Sequence, residues 1–338
     1  MAVKIKDIAE SLGLSRNTFS KALNGNHVSK ATRELVLKKA QELNYKSYNS
    51  EYLKSKKYRI LLLSGKPFHN INFFVPIINS IENYCYINDY DFFEYTCNLK
   101  KTSFEEVANY IESLEVQGIV AIECFDHEFI LKLLDLKIPV TFIDFPGYKF
   151  DFKPHLDLVV TSDQKLVCEY VKNLINKYDF SNFTYVGDFR HCLTFHERYM
   201  GMLRGIARSS QEHKHENDSI EKERDFDYGN VENLKNKIKA LEKLPDCFFC
   251  CNDFVARKVV NALKELNYSV PKDTFVVGFD NVIEAINESP TITTFNVDKE
   301  FLGQEAIRVL VNRIERKKSP MRTIMIDCDL VERETTKK

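Results

Sequence analysis

The sequence predicts an α/β protein of two unlike parts: an all-α N-terminal head with a helix-turn-helix, and a larger core of two doubly wound parallel-sheet lobes. Three observations lead there. Apolar residues in 4–45 recur only at helical spacing. From Tyr58 onward, short continuous apolar runs alternate with amphipathic stretches. The two parts also differ in the sign of their charge.

In the head, Ile5, Ile8, Ala9 and Leu12 recur at i, i+3, i+4 and i+7, giving one apolar stripe. Gly13-Leu14-Ser15 is a tight turn whose Ser15 can cap a second helix. That helix turns Phe19, Ala22 and Leu23 inward, projects Arg16, Asn17, Ser20 and Lys21 outward, and stops at Asn24-Gly25. Ser29 caps a third helix with a stripe of Val36, Leu37, Ala40 and Leu43. Two helices joined through a short turn containing Gly make a helix-turn-helix, a unit that also occurs as plain packing. Charge separates the two readings. Residues 1–58 hold 12 Lys and Arg against 5 Asp and Glu, although the whole chain sums to −1. A basic head on an acidic body is the electrostatic footprint of a DNA reader. The outward side chains suit base reading. Arg bridges O6 and N7 of guanine and Asn bridges N6 and N7 of adenine, each worth roughly 1–3 kcal/mol of discrimination.

The core follows from the change of period. YRILLLS, FFEYTC, GIVAIEC, LDLVVTS, FTYVGD, CFFCC and TFVVGFD are apolar runs, each paired with a helical segment. Continuous apolar strands between helices mean buried parallel sheet. Such units over residues 59–338 exceed one sheet, so two similar lobes are expected. Ligands of such sheets sit outside the carboxyl ends of the strands, and the pocket of a two-lobed core is the cleft between them. The polar groups at strand ends are Asp144 after VTFID, Arg198 in the helix after FTYVGD, Asn252 and Asp253 after CFFCC, and Asp280 after VVGFD. Carboxylates and a guanidinium fork hold hydroxyls or a base edge in fixed geometry. The bland alternative for each Asp or Asn is a helix cap.

Both ends of the chain carry a resemblance. IKDIAESLGLSRNTFSKALNGN with VSKATRELVLKKAQELNY, and later LPDCFFCCNDFVARKVVNALKELNYSVPKDTFVVGFDN with ITTFNVDKEFLGQEAIRVLVNRIERKKSP, resemble the lac repressor/galactose repressor family of bacterial transcription regulators. The resemblance implies a repressor with a core like periplasmic sugar-binding proteins. Its DNA affinity would change when a small metabolite, usually a sugar or nucleobase, binds between the lobes. It divides the chain into a head at 1–45, a hinge at 46–58 and a core at 59–338. Lobe 1 would hold about 59–160 and 292–320, lobe 2 about 161–291 and 321–338. It implies a homodimer on a near-palindromic double-stranded operator, with Ser15, Arg16, Asn17, Thr18, Ser20, Lys21 and Asn24 at the DNA. In the pocket, Arg198 matches the family's R-x-x-G (Arg198 to Gly201), Asn252 its N-D and Asp280 its G-F-D. Phe226 falls where an aromatic stacks on the ligand, and Phe74 in the first-helix F-F pair. Asp144 rests on its strand end alone.

The hinge departs from the family pattern. Residues 46–57, KSYNSEYLKSKK, lack the usual Pro, place Glu51 near the usual Ala and bring Leu53 one residue early. Leu53 is the candidate minor-groove wedge and Lys54 a phosphate contact; a mobile basic linker is the alternative. Lys4 replaces the usual Thr cap, and Val297 stands where a polar pocket residue is common.

Other classes lack their parts. No apolar run approaches ~18–20 residues, so no membrane span is expected. The head begins directly in a charged amphipathic helix with no secretory signal, and nine cysteines without framework spacing suit a reducing cytoplasm. Cys247 and Cys250, at i and i+3 of a strand, point to opposite faces and do not suit a metal. His213 and His215 lie in a polar stretch that reads as solvated. Phosphate-loop, dinucleotide, zinc-protease and nucleophile-elbow motifs are missing, so no enzyme activity, cofactor or metal is expected. A solute-binding protein would share the core but lacks a reason for the basic head. A regulator answering to a protein co-regulator stays open beside the metabolite-gated one. The chain stops soon after its last strand without heptads, which favours a dimer over a zippered tetramer.

Overall fold

A computed structural model describes residues 8–9, 11–15, 18–19, 22, 28–29, 32, 35–36, 38–39, 58–67, 71–98, 101–146, 156–209, 219–220, 231–316 and 319–337. The chain divides into two compact units, Met1–Tyr58 and Arg59–Lys338.

In the first unit Ile8, Ala9, Phe19, Ala22 and Val36 form a buried cluster, with Leu12, Leu14 and Val28 packed against it. Gly13 takes φ +65° at the turn, a left-handed conformation cheap only for glycine. Ser15 Oγ accepts from Thr18 N at 3.0 Å, and Ser29 Oγ accepts from Thr32 N at 3.1 Å. Both predicted caps are therefore formed, each satisfying a backbone donor that the helix start leaves open.

The core unit contains two parallel sheets. The first has six strands in the order β11-β5-β4-β3-β1-β2: β1 (Arg59–Ser64), β2 (Asp91–Thr96), β3 (Gly118–Ile122), β4 (Val140–Ile143), β5 (Asp157–Thr161) and β11 (Thr323–Ile326). All its pairings are parallel. The second has the order β7-β6-β8-β9, with β6 (Phe183–Val186), β7 (Ser219–Ile220), β8 (Cys247–Cys250) and β9 (Phe275–Val277). Beside it, β10 (Thr294–Asn296) pairs antiparallel with β12 (Asp329–Val331), and the bridge Val277↔Thr293 joins that pair to β9. The strands β1, β3, β4, β5, β6, β8 and β9 are buried almost throughout, as helices on both faces of a parallel sheet require.

The chain crosses between the lobes three times, and two crossings differ from expectation. Residues 292–296 belong to the second lobe, because β10 pairs with β12 there. Residues 323–326, assigned from sequence to the second lobe, lie in the first, where β11 pairs with β5. The reason is a buried ion pair. Asp157 on β5 accepts from Arg313 Nε at 2.7 Å and Nη2 at 3.1 Å, and from Arg322 N at 2.9 Å. Arg313 also donates to the carbonyls of Ser319 and Pro320. The chain leaving the helix Lys299–Glu315 is thus bound to the edge of β5, and β11 forms beside it.

Helix contacts on each lobe are close. Gly303 on Lys299–Glu315 faces Ser80 Oγ and the Ile77 carbonyl of Ile71–Ile87. In the second lobe, Gly201 and Gly205 on Leu193–Ala207 meet the helix Asp163–Tyr178. A Cβ at Gly205 would lie 2.7 Å from the Cys168 carbonyl and 2.7 Å from Val171 Cβ. These glycines set the helix separation, which explains why a glycine follows Arg198 by one turn. We therefore expect Gly205→Ala to lose on the order of 1–3 kcal/mol from overpacking. A lower urea midpoint at unchanged slope would confirm it. An unchanged midpoint would show that the helix pair yields at no cost.

Candidate functional site

The strand ends of the two lobes face one another. Several take left-handed backbone: Glu123 (φ 57°) after β3, Asp144 (φ 62°) after β4, and Asp280 (φ 104°) with Asn281 (φ 51°) after β9. Direct contacts join the lobes around this region. Thr194 Oγ1 donates to Asp144 Oδ2 at 2.6 Å, Leu193 N to the Phe145 carbonyl at 2.7 Å, and Asn72 Nδ2 to Glu284 Oε1 at 2.8 Å. Lys66 Nζ is ion-paired with Glu123 and lies 3.4 Å from His191 Nε2, while the His191 ring meets Phe125 edge-on at 4.8 Å.

At the centre is Arg198, buried at 3% exposure. Its Nε donates to Asp163 Oδ2 at 2.8 Å and its Nη1 to the Cys251 carbonyl at 2.5 Å. Nη2 stands 3.4 Å from Asp280 Oδ1. The guanidinium carbon lies 3.6 Å from the centroid of Phe279, so the fork rests on an aromatic face. Five N–H donors serve this cation. The Asp163 and Cys251 bonds take two, and Nη2 on the outer edge of the fork faces Asp280. Burial opposes the Arg198 charge, but Asp163 and Asp280 more than offset it and raise its pKa.

Three buried carboxylates, Asp163, Asp253 and Asp280, share this neighbourhood with two cations, Arg198 and Lys299. Burial pushes Asp280 up to about 6 against the pull of Arg198 and Lys299. Asp253 is pushed up to about 8 by burial and by Asp280. Burial and the neighbouring carboxylate thus oppose the charged form of Asp253 more strongly than the nearby cations among the described residues offset it. Asp280 Oδ1 is buried, faces Arg198 without a well-formed hydrogen bond, and can accept one.

The sequence-predicted site residues divide accordingly. Arg198 and Asp280 are brought together. Asn252 is the N-cap of Asp253–Glu265, its Oδ1 accepting from Val255 N at 2.9 Å, so the cap reading accounts for that oxygen. Asp144 accepts from Phe145 N and from Thr194 N and Oγ1; its carboxylate is spent on joining the lobes. Phe74 is buried against Phe73, edge to face at 5.1 Å. In the head, Ser15 and Thr18 bond to each other as a cap. Arg16, Asn17, Ser20, Lys21, Asn24, Leu53, Lys54, Phe226, His213 and His215 lie outside the described residues. Cys247 and Cys250 are buried, and all nine cysteines are free. Among the described residues no helix is long and apolar enough to cross a membrane.

Sequence reasoning missed Asp163, Phe279 and Lys299. Asp163 follows β5 by two residues, so the strand-end argument that found Asp280 also reaches it. Phe279 directly precedes Asp280. Lys299 gives no sequence signal, because its partners are backbone carbonyls.

The raised Asp253 pKa has a consequence for stability. The folded state holds its proton up to about pH 8, whereas an unfolded Asp releases it near 3.9. Stability from this group is complete below the unfolded value and is lost as pH rises toward 8, with a slope of at most about 1.4 kcal/mol per pH unit. We expect Asp253→Asn to flatten the fall in melting temperature between pH 5 and 8 measured on the wild type; equal slopes would show that Asp253 ionises normally.

Comparisons with known proteins agree on one family. Residues 4–47 match the model for bacterial regulatory proteins of the lacI family, and residues 174–336 match a periplasmic binding protein-like domain. The chain is 30% identical over 343 residues to the HTH-type transcriptional repressor PurR of Vibrio parahaemolyticus, covering 99% of this chain and 98% of that protein. It is 29% identical over 351 residues to the PurR of Mannheimia succiniciproducens, at 99% and 98% coverage. A lac repressor dimer solved with operator and the anti-inducer ONPF superposes with a TM-score of 0.67 at 20% identity, covering 99% of each chain, which supports the fold. With the helix-turn-helix head, the two parallel-sheet lobes and near-complete coverage of a repressor at 30% identity, the chain belongs to the lacI family of bacterial regulatory proteins and is a DNA-binding transcriptional regulator of the repressor type.

Proposed function

We propose that this lacI-family repressor is gated by a small polar metabolite held between its lobes by Arg198 and Asp280. The observation that carries the reading is a buried guanidinium facing, at 3.4 Å, a buried carboxylate oxygen that accepts no well-formed hydrogen bond. That pairing offers a donor edge beside an acceptor. Two hydroxyls of a sugar or the polar edge of a nucleobase present the complement. Phe195, with its ring centroid 5.4 Å from the Arg198 guanidinium, adds an apolar face beside the fork.

At the DNA, two chains place Arg16, Asn17, Ser20 and Lys21 into the halves of a near-palindromic operator, with Ser15, Thr18 and Asn24 flanking them. The surplus of Lys and Arg over Asp and Glu in residues 1–58 supports that reading. Leu53 is the wedge for the central minor groove and Lys54 a phosphate contact. Pairing of the cores is supported by exposed apolar side chains at Val75, Ile283, Ile286 and Phe301. Regulation itself needs no chemical step. The effector favours one relative arrangement of the lobes, and operator affinity changes by the same coupling free energy.

Two measurements check these roles. A thermal-shift panel of sugars, sugar phosphates, nucleobases and nucleosides should raise the melting temperature with one chemical class, by mass action on the native state. Arg198→Ala should lose that shift; a shift of equal size in the variant would place the ligand elsewhere. For the head, Arg16→Ala should narrow the affinity ratio between operator and scrambled DNA by roughly 1–3 kcal/mol. A ratio equal to wild type removes Arg16 from base reading.

A further inference from the structure

Lys299 occupies a position that helix physics disfavours. It is the first residue of the helix Lys299–Glu315, behind the N-cap Asp298, where the partial positive charge of the helix start repels a cation. Burial also lowers its pKa. Yet its ammonium is turned into the structure, onto three backbone carbonyls: Asp280 at 2.5 Å, Val297 at 3.0 Å and Asn281 at 3.4 Å. All three N–H donors of the ammonium are thereby used.

Two of these carbonyls, those of Asp280 and Asn281, belong to left-handed backbone. Asp280 at φ 104° and Asn281 at φ 51° are consecutive left-handed residues without glycine. Such conformations are costly outside glycine and persist where surrounding contacts over-determine them. Asn281 is clamped by Asn296 and Arg333, and Asp280 N donates to the Phe295 carbonyl at 2.9 Å. Asn281 N also donates to Thr294 Oγ1 at 3.2 Å. Lys299 adds a restraint on the two carbonyls from a helix that packs against Ile71–Ile87 of the first lobe.

We propose that Lys299 is a positioning residue of the effector site: from the first lobe it holds Asp280 in the left-handed conformation that aims its carboxylate at Arg198. Acceptor presentation in the second lobe is then tied to the placement of the first. Asp163 orients Arg198 from the first crossing, and the Cys328 thiol on the third lies 3.8 Å from Asp163 Oδ1. The inference rests on the effector reading, but its geometric content stands apart from it.

The test is a set of crystal structures without added compound of wild type, Lys299→Met and Lys299→Gln. Each protein is also melted with ribose, glucose, hypoxanthine and adenine added singly. Lys299→Met keeps the aliphatic stem and removes every donor; Lys299→Gln keeps amide donors on a shorter stem, should the methionine variant not fold. Asp280 is expected to relax to negative φ and its carboxylate to move beyond 3.4 Å from Arg198. Any compound that stabilises wild type should bind the variants about tenfold more weakly. An unchanged Asp280 backbone and an unchanged spacing to Arg198 in a folded variant would overturn the assignment. A flat panel on wild type counts against the effector reading alone, because the structural comparison needs no compound.

Discussion

The site depends on one buried charge. A guanidinium removed from water costs several kcal/mol unless its donors find acceptors, and here the acceptors come from separate parts of the chain. Asp163 lies at the first crossing, the Cys251 carbonyl at the end of β8, and Asp280 at the end of β9. Satisfying Arg198 therefore requires the second-lobe strand ends and a crossing segment to be in place together. Asp280 Oδ1, 3.4 Å from Arg198 Nη2, is the one acceptor of this set left without a well-formed hydrogen bond.

The closeness that brings these groups together is set by small residues. Gly201 and Gly205 let the helix bearing Arg198 lie against the one that begins with Asp163, at a separation that a methyl group on either glycine would prevent. Gly303 does the same in the first lobe, seating the helix whose first residue is Lys299. Backbone approach, rather than side-chain complementarity alone, fixes where the charges meet.

Much of the fold was legible because burial on both faces of a parallel sheet writes continuous apolar runs into the chain: β1, β3, β5, β6, β8 and β9 were all read as YRILLLS, GIVAIEC, LDLVVTS, FTYVGD, CFFCC and TFVVGFD. The head was legible through its caps at Ser15 and Ser29 and its apolar stripe. The first crossing was legible but the last was not, because β11 is short and largely exposed on an edge, and its placement comes from the Asp157–Arg313 pair across 156 residues of sequence. In the site, Arg198 and Asp280 followed from strand ends. Asp144 and Asn252 followed from the same rule, and it could not separate a carboxylate or amide facing a ligand from one bonded to Thr194 or capping a helix. Lys299 was beyond reach, since side chain to carbonyl contacts leave no pattern of residue types.

Gating by Arg198 and Asp280 stands or falls on where a bound metabolite sits. The most direct measurement is a crystal structure of the protein with the compound that gives the largest thermal shift. It should show polar atoms of the compound within hydrogen-bond distance, about 3 Å, of both the Arg198 guanidinium and the Asp280 carboxylate. A compound bound with full occupancy elsewhere, leaving that pair untouched, would contradict it.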